Sequence, residues 1–227
     1  LDIGLPAGGE MLLMFVYFSA VYWLIQDFGA PAQAGFSIGG RIMQSIFMPT
    51  MAIAFAVGPI IGQNFGAMKF DRVRRGFVAG VVFVGVFVVV MTGLLYVLRG
   101  PIADIFSATG ITRELVYLFC GPLALLFFFN GVIFVGNATF NNLGHPFYST
   151  YVNWGRHTLG TIPFVIAGSA WLGAPGVLLG QATGGIVFAL VAYVLARRVM
   201  NKPEVGAVEP GPYARQGRMH ALFNFRR

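Results

Sequence analysis

Six long apolar runs, separated by short polar or charged segments, organise the 227-residue chain. Each run has about twenty residues or more, which is the length that an α-helix needs to cross a lipid bilayer. The runs are apolar on all sides, whereas strands of a membrane barrel show about ten residues of strict alternation, so we predict helices. The pattern therefore predicts an all-α integral membrane protein, a six-transmembrane-helix bundle, with spans at about 6–25, 36–61, 77–98, 115–140, 147–170 and 176–196.

Glycine, proline and small polar residues indicate where the predicted helices end. Residues 62–67, Gly-Gln-Asn-Phe-Gly-Ala, supply two glycines where we expect the second helix to stop and the chain to turn. Pro49 and Pro59 predict a kink and a loosened last turn in the same helix. Residues 102–114 are predicted to form a short interfacial connector, with Thr112 as the N-cap of the next helix.

Composition and charge place the chain in a membrane and orient it. The sequence is 57% hydrophobic and 10% charged, whereas a soluble domain has roughly 25% charged residues. Its net charge of +7 does not indicate a nucleic-acid partner, because most basic residues lie beside the ends of the runs. Four of them lie within 69–75, and the positive-inside rule places that loop in the cytoplasm. Alternation then predicts that both chain ends are cytoplasmic, with Arg99 and Arg113 as exceptions on the outer side.

The runs also define the domain organisation. Residues 1–202 are predicted to form the six-helix transmembrane lobe, and residues 203–227 a disordered basic cytoplasmic tail, since they are rich in Pro, Gly and charge. The chain opens Leu-Asp-Ile-Gly-Leu-Pro, with neither an initiator Met nor a signal peptide, which is typical of the middle of a longer polypeptide.

Candidate chemistry is sparse, and we predict no enzymatic activity. Nucleotide-binding loops, zinc motifs and paired carboxylates are absent from the sequence, and Cys120 is the one cysteine. No cofactor or metal site is therefore expected. The ionisable residues within the spans are Glu10, Arg41, Arg156 and His157.

These four residues leave alternatives open. Glu10 is either an interfacial acid at the positive end of the helix dipole or a protonatable, cation-binding carboxylate that faces a central cavity. Arg41 and Arg156 have either a structural role or one that faces the protein interior. In the structural role Arg41 snorkels to headgroups, and Arg156 reaches headgroups or pairs with a helix-end carbonyl. His157 is expected to make a packing hydrogen bond rather than to act as a proton relay.

Uncharged polar residues and aromatic residues concentrate in the second, fourth and fifth runs. Buried amides contribute only about 0.6 kcal/mol each between membrane helices, so several together indicate a wet cavity or a moving interface. Aromatic faces attract organic cations. The residues that we predict to line such a cavity are Gln44, Asn130, Phe134 and Asn137.

Several motifs resemble one transporter family. Gly-Leu-Pro-Ala opens the first helix, Arg41 precedes Pro49, and Val-Gly-Pro-Ile-Ile-Gly-Gln-Asn-Phe-Gly-Ala closes the second helix. Phe-Asn-Asn-Leu-Gly-His-Pro and Asn153-Trp154-Gly155-Arg156 follow later. This order is similar to the second half of the multidrug and toxic compound extrusion (MATE) transporters. The most specific part of the resemblance consists of Gly62, Gln63, Asn64, Gly66 and Ala67.

The resemblance implies an architecture and an activity. Members have twelve helices in two six-helix lobes, and they export cationic drugs or metabolites by alternating access against an inward flow of Na⁺ or H⁺. This chain would be the C-terminal lobe, equivalent to helices seven to twelve. Glu10 is similar to the seventh-helix acid of the family and is the ion-coupling candidate. No acid occurs between Glu114 and Glu204, where the family has a tenth-helix acid, so the coupling ion stays open.

The expected partners follow from the same resemblance. They are the lipid bilayer, a small organic cation, and either the N-terminal lobe or a second six-helix chain, and the expected location is the inner membrane. One alternative is a flippase for lipid-linked oligosaccharides of the same superfamily, which would favour a strongly cationic cavity. Another is a non-transporting scaffold subunit, which would tolerate the loss of every intramembrane polar group.

Overall fold

The computed structural model describes the backbone of residues 4–201 and the side chains of residues 12–201. The predicted tail at 203–227 therefore lies outside the described residues. Within the described backbone every element is helical, which confirms the all-α fold class. The helices are α1 (Gly4–Gln26), α2 (Ala30–Gly66), α3 (Phe70–Ile105), α4 (Gly110–Leu118), α5 (Ala124–Asn142), α6 (Pro146–His157), α7 (Ile162–Leu172) and α8 (Ala174–Asn201).

Four of these segments are long and apolar enough to cross a membrane. They are α2, α3, α8 and the continuous helical stretch Gly110–Asn142. In that stretch a π-helical turn, Phe119–Leu123, joins α4 to α5. Pro122 lies inside the turn and lacks an N–H donor, which disturbs the regular α-helical hydrogen bonds at this point. The described part of α1, Leu12–Gln26, is apolar but shorter.

The predicted fifth span is not one continuous helix. It is divided into α6 and α7 by a turn at residues 158–161. Pro163 explains the position of the break, because its ring would clash with the carbonyl group one helical turn earlier. The Thr161 hydroxyl donates to the Arg156 carbonyl oxygen at 2.7 Å, so a side chain replaces part of the missing backbone bonding at the end of α6.

The turn after the second span lies later than we predicted. Gly62 is inside α2, which continues to Gly66, and the chain reverses at residues 67–69, where Met68 has a φ of 59°. Gly62 has a packing role instead. A Cβ there would lie 2.9 Å from Oδ1 of Asn142, and a Cβ at Gly58 would lie 2.9 Å from Nδ2 of the same side chain. These two glycines therefore let the end of α5 approach α2.

The predicted N-cap at Thr112 is wrong. Helix α4 begins at Gly110, and Thr109 is its N-cap residue, with φ −129° and ψ 160°. Thr112 lies within the first turn, and its hydroxyl donates to the carbonyl oxygen of Pro31 at 2.8 Å. This bond joins the start of α4 to the start of α2, so the two ends lie on the same side of the bundle.

The hydroxyl of Thr112 gives a first testable prediction. Thr112→Val should lower the free energy of unfolding by about 1 kcal/mol, because the tertiary hydrogen bond to Pro31 is lost while the side-chain volume is kept. Thermal unfolding in detergent measures this. Thr92→Val is the control, since the Thr92 hydroxyl is buried without a hydrogen-bond partner among the described residues. An equal loss in both variants would contradict the prediction.

Candidate functional site

One cavity of about 430 Å³ lies among α1, α2, α5, α6 and α8, next to the π-helical turn. Its size falls in the range of small-molecule sites, roughly 300–1,000 Å³. Most of its wall is apolar or aromatic, with a few polar side chains. The lining residues are Met14, Tyr17, Phe18, Phe36, Gly40, Met43, Gln44, Phe47, Phe119, Leu123, Leu126, Phe127, Asn130, Phe134, Arg156, His157, Thr161, Leu178, Gln181, Ala182 and Gly185.

Aromatic rings from two helices meet on one wall of the cavity. The Phe47 ring lies edge-on to Phe134, with centroids 5.6 Å apart, and to Phe127, with centroids 6.2 Å apart. Such edge-to-face pairs fix the rings relative to one another. Phe127 and Phe134 are seven residues apart, which is close to two helical turns, so they share one face of α5. The wall is thus a fixed aromatic surface against which a planar or apolar ligand can pack.

A polar cluster lies where α6 ends. Nη1 of Arg156 donates to Oδ1 of Asn130 at 2.5 Å, and Nη2 lies 3.0 Å from Nε2 of His157. The His157 ring packs against Tyr17 of α1, with centroids 4.8 Å apart. The break at residues 158–161 ends α6 at this level of the bundle. Irregular backbone at membrane depth is tolerated where it is buried in protein or lines a cavity, and here it lines one.

Three of the four predicted cavity residues lie on the wall. Gln44, Asn130 and Phe134 all line it. Asn137 does not, and its amide donates to Oδ1 of Asn153 at 3.3 Å. The Oδ1 atom of Asn137 is buried and has no hydrogen-bond partner among the described residues.

The side chain of Glu10 lies outside the described residues, so its predicted role is not tested. Its backbone belongs to α1. Glu10 precedes Tyr17 by seven residues, close to two helical turns, so the two positions share one face of the helix. Tyr17 and Met14, on that face, both line the cavity.

Arg156 lies on the wall as well. The sequence favoured a structural role for it, at headgroups or a helix-end carbonyl, over one that faces the protein interior, and its guanidinium lines the cavity and donates to Asn130. Arg41, the other arginine within a span, is exposed and does not line the cavity. Tyr17 and Gln181 also belong to the wall and were missed. No signal in the sequence distinguishes them, because each is a single polar group in an apolar run.

The predicted motif residues at the end of α2 do not line the cavity. Gly62 packs on Asn142, and the Asn64 amide donates to the Ile60 carbonyl oxygen at 2.8 Å within its own helix. Gln63, Gly66 and Ala67 are exposed. Among the described residues there is also no group of three or more His, Cys, Asp or Glu side chains that could hold a metal ion.

Comparisons with known proteins add a family to this geometry. The family model described as MatE matches residues 6–166. A Pseudomonas savastanoi protein named "Uncharacterized 21 kDa protein in iaaL 5'region" is 31% identical over 91% of this chain and 68% of its own length. A protein of Shewanella oneidensis named "FAD transporter" is 25% identical over 74% of this chain and 37% of its own length.

Solved structures share the fold. The structure described as the MATE transporter ClbM in complex with Rb⁺ has a TM-score of 0.80 and 26% identity, and the match covers 90% of this chain and 47% of ClbM. The chain thus spans about half of ClbM, under two fifths of the Shewanella protein and just over two thirds of the Pseudomonas protein.

Proposed function

Because the chain belongs to the MATE family of transporters, we propose that it forms the C-terminal six-helix lobe of a secondary active transporter in the inner membrane. In this proposal the lobe works with a second six-helix lobe, and both its ends are cytoplasmic. The observation that carries the proposal is the cavity of about 430 Å³, which has an aromatic wall and a polar cluster. It is large enough for a small organic molecule, and it lies among helices interrupted by a break and a π-helical turn, as expected where helices must move.

Ion coupling is the second part of the proposal. We assign the coupling site to Glu10, because its helical position is on the face of α1 that carries the wall residues Met14 and Tyr17. The resemblance implies Na⁺ or H⁺ as the coupling ion. An amide oxygen such as Oδ1 of Asn137 can ligate Na⁺ but cannot carry a cycling proton. The Rb⁺ in the description of ClbM supports a monovalent metal ion.

The substrate has two candidate charge classes. The family resemblance supports organic cations, which aromatic faces such as those of Phe47 and Phe134 attract. Arg156 supports aromatic anions, because it is the permanently charged side chain on the described part of the wall, and guanidinium groups bind carboxylates and phosphates. The name of the Shewanella relative, an FAD transporter, agrees with this second class. A flippase for lipid-linked oligosaccharides needs several positive charges in the cavity, and Arg41 does not contribute one. We therefore favour transport of organic cations or aromatic anions over a flippase function.

Transport by the full-length protein in proteoliposomes tests the function. An imposed Na⁺ or H⁺ gradient should drive movement of a fluorescent organic cation such as ethidium, or of FAD, against its own gradient. If ethidium and FAD move at the same rate with and without an ion gradient, or if neither solute moves, ion-coupled transport would be contradicted. A scaffold subunit would show neither movement nor sensitivity to changes in the cavity.

Arg156→Gln should change which charge class the protein transports. The substitution removes a positive charge from the wall and keeps a hydrogen-bond donor for Asn130. We expect the ratio of ethidium to FAD transport to rise about tenfold, which corresponds to about 1.4 kcal/mol and is well within the Coulomb energy of close charges. Arg41→Gln, at an exposed arginine off the wall, is the control and should leave the ratio unchanged. An unchanged ratio in Arg156→Gln would exclude Arg156 from charge selection.

A further inference from the structure

Arg99 and Arg113, the two arginines that do not follow the positive-inside pattern, meet at one aromatic side chain. The guanidinium carbon of Arg99 lies 4.0 Å from the ring centroid of Tyr96 and 5.0 Å from that of Tyr117. The guanidinium carbon of Arg113 lies 5.5 Å from the Tyr117 centroid. The two cations therefore lie on opposite helices, α3 and α4, around one ring, on the side of the bundle away from the loop at residues 67–69.

The two arginines differ in how their charge is balanced. Nη1 of Arg113 lies 3.3 Å from a carboxylate oxygen of Asp104, and its Nε donates to the Tyr117 hydroxyl at 3.1 Å. Arg99 has no carboxylate within 4.0 Å among the described residues. Its guanidinium lies instead beside two aromatic rings, which orient the group, while its N–H donors have no hydrogen-bond partner among the described residues.

The hydroxyl of Tyr117 adds a further donor. Its oxygen accepts the hydrogen bond from Nε of Arg113, so its own hydrogen is available for another acceptor. A guanidinium that makes no hydrogen bond within the described part of the chain, beside a phenolic O–H, suits an oxyanion with several acceptor oxygens.

The surroundings indicate where that oxyanion comes from. Arg99 directly follows the apolar run of α3, which includes the most hydrophobic window of the four long helices. Three apolar side chains shortly before it are exposed on the surface of the bundle: Leu94 is 50%, Val97 76% and Leu98 40% exposed. Arg99 thus lies at the end of a surface that faces acyl chains, at the depth where lipid headgroups are found.

We propose that Arg99, with Tyr96 and Tyr117, binds the phosphate of an anionic phospholipid headgroup. The acyl chains of the lipid lie along the exposed valine and leucine side chains of α3, and the phosphate accepts hydrogen bonds from Arg99 and Tyr117. Asp104 balances Arg113, so the site carries one uncompensated positive charge from these residues and suits one phosphate rather than a polyanion. The site is separate from the cavity, and it does not depend on the transport function.

Native mass spectrometry of the full-length protein, titrated with phosphatidylglycerol in detergent, tests the site. Arg99→Gln should weaken phosphatidylglycerol binding about fivefold, which corresponds to about 1 kcal/mol, while binding of phosphatidylcholine changes less. Arg99→Lys keeps the charge without the planar fork and should bind with intermediate affinity. Tyr117→Phe keeps the ring, removes the hydroxyl donor and should weaken binding about twofold.

Arg41→Gln is the matched control for non-specific headgroup contact, since Arg41 is an exposed arginine on another long apolar helix and, among the described residues, no aromatic ring lies beside its guanidinium. An equal loss of lipid in Arg41→Gln, or unchanged affinity in Arg99→Gln, would overturn the proposal. Displacement of the lipid by millimolar inorganic phosphate would also overturn it, because the site would then bind free phosphate. If Arg99→Gln does not fold, the affinities of Arg99→Lys and Tyr117→Phe for phosphatidylglycerol test the site instead. Wild-type affinity in both of these variants would refute it.

Discussion

Glu10→Gln is expected to reduce ion-driven transport to background while the protein is still expressed and inserted. Glutamine has nearly the same shape as glutamate but cannot bind a proton, and it binds Na⁺ far less well because it carries no negative charge. The part of the cavity wall that the structure describes contains no carboxylate, so no other described wall residue can replace Glu10 in this role. The loss should therefore appear as a missing response to the ion gradient, rather than as weaker binding of the solute.

The measurement is gradient-driven export from proteoliposomes, together with drug resistance in cells that express the full-length protein. Glu114→Gln is the control, because Glu114 is an exposed acid of α4 that does not line the cavity. We expect this variant to transport like the wild type. If Glu10→Gln keeps its resistance at normal expression, Glu10 is not the coupling acid, and the coupling of the full-length transporter must reside elsewhere.

Gly184→Ala, in helix α8, is expected to cause a large loss of stability. Helix α8 packs backbone against backbone on α7 and on the turn that precedes it: a Cβ at Gly184 would lie 2.0 Å from the carbonyl oxygen of Gly160 in that turn, and a Cβ at Gly180 would lie 2.2 Å from that of Phe164 in α7. Backbone atoms cannot move aside as a flexible side chain can, so the two helices must separate. We expect a loss of about 3 kcal/mol in the free energy of unfolding.

Thermal unfolding and the yield of monodisperse protein in detergent measure this loss. Gly93→Ala in α3 is the control, because a Cβ at Gly93 would have no heavy atom within 4 Å. Alanine is a better helix former than glycine by about 1 kcal/mol, so this variant should be unchanged or more stable. Equal stability of the two variants would contradict the prediction, because it would show that α8 can move away from the backbone at Gly160 without cost.

The positions of helix ends could be predicted only in part. Gly62 and Thr112 show why, because each residue type has two common uses. Glycine ends a helix or lets a second helix come close, and Gly62 does the second, against Asn142. Threonine caps a helix or bonds to a distant carbonyl group, and Thr112 bonds to Pro31. The choice depends on a residue at least 80 positions away, which a local pattern does not contain.

The cavity residues show the same limit. Asn130 and Asn137 are seven residues apart, so helical periodicity places both on one face of α5 and cannot separate them. In the structure Asn130 lines the cavity and binds Arg156, whereas Asn137 packs toward Asn153 beyond the cavity. Depth along the helix axis distinguishes them, and that depth has meaning only after α6 and α8 are in place.

The sequence by itself determined the membrane-embedded, all-helical class of this protein and its family. In lipid every backbone N–H and C=O group must be satisfied within the chain, so long apolar runs have essentially one solution, the helix. Only the tertiary structure decided which polar side chains share a cavity. The break at residues 158–161 places Arg156 at the wall, beside Asn130, and the packing of α1 brings Tyr17 to His157. These contacts join residues 26 and 140 positions apart, and their formation depends on how helices pack, which hydropathy alone does not specify.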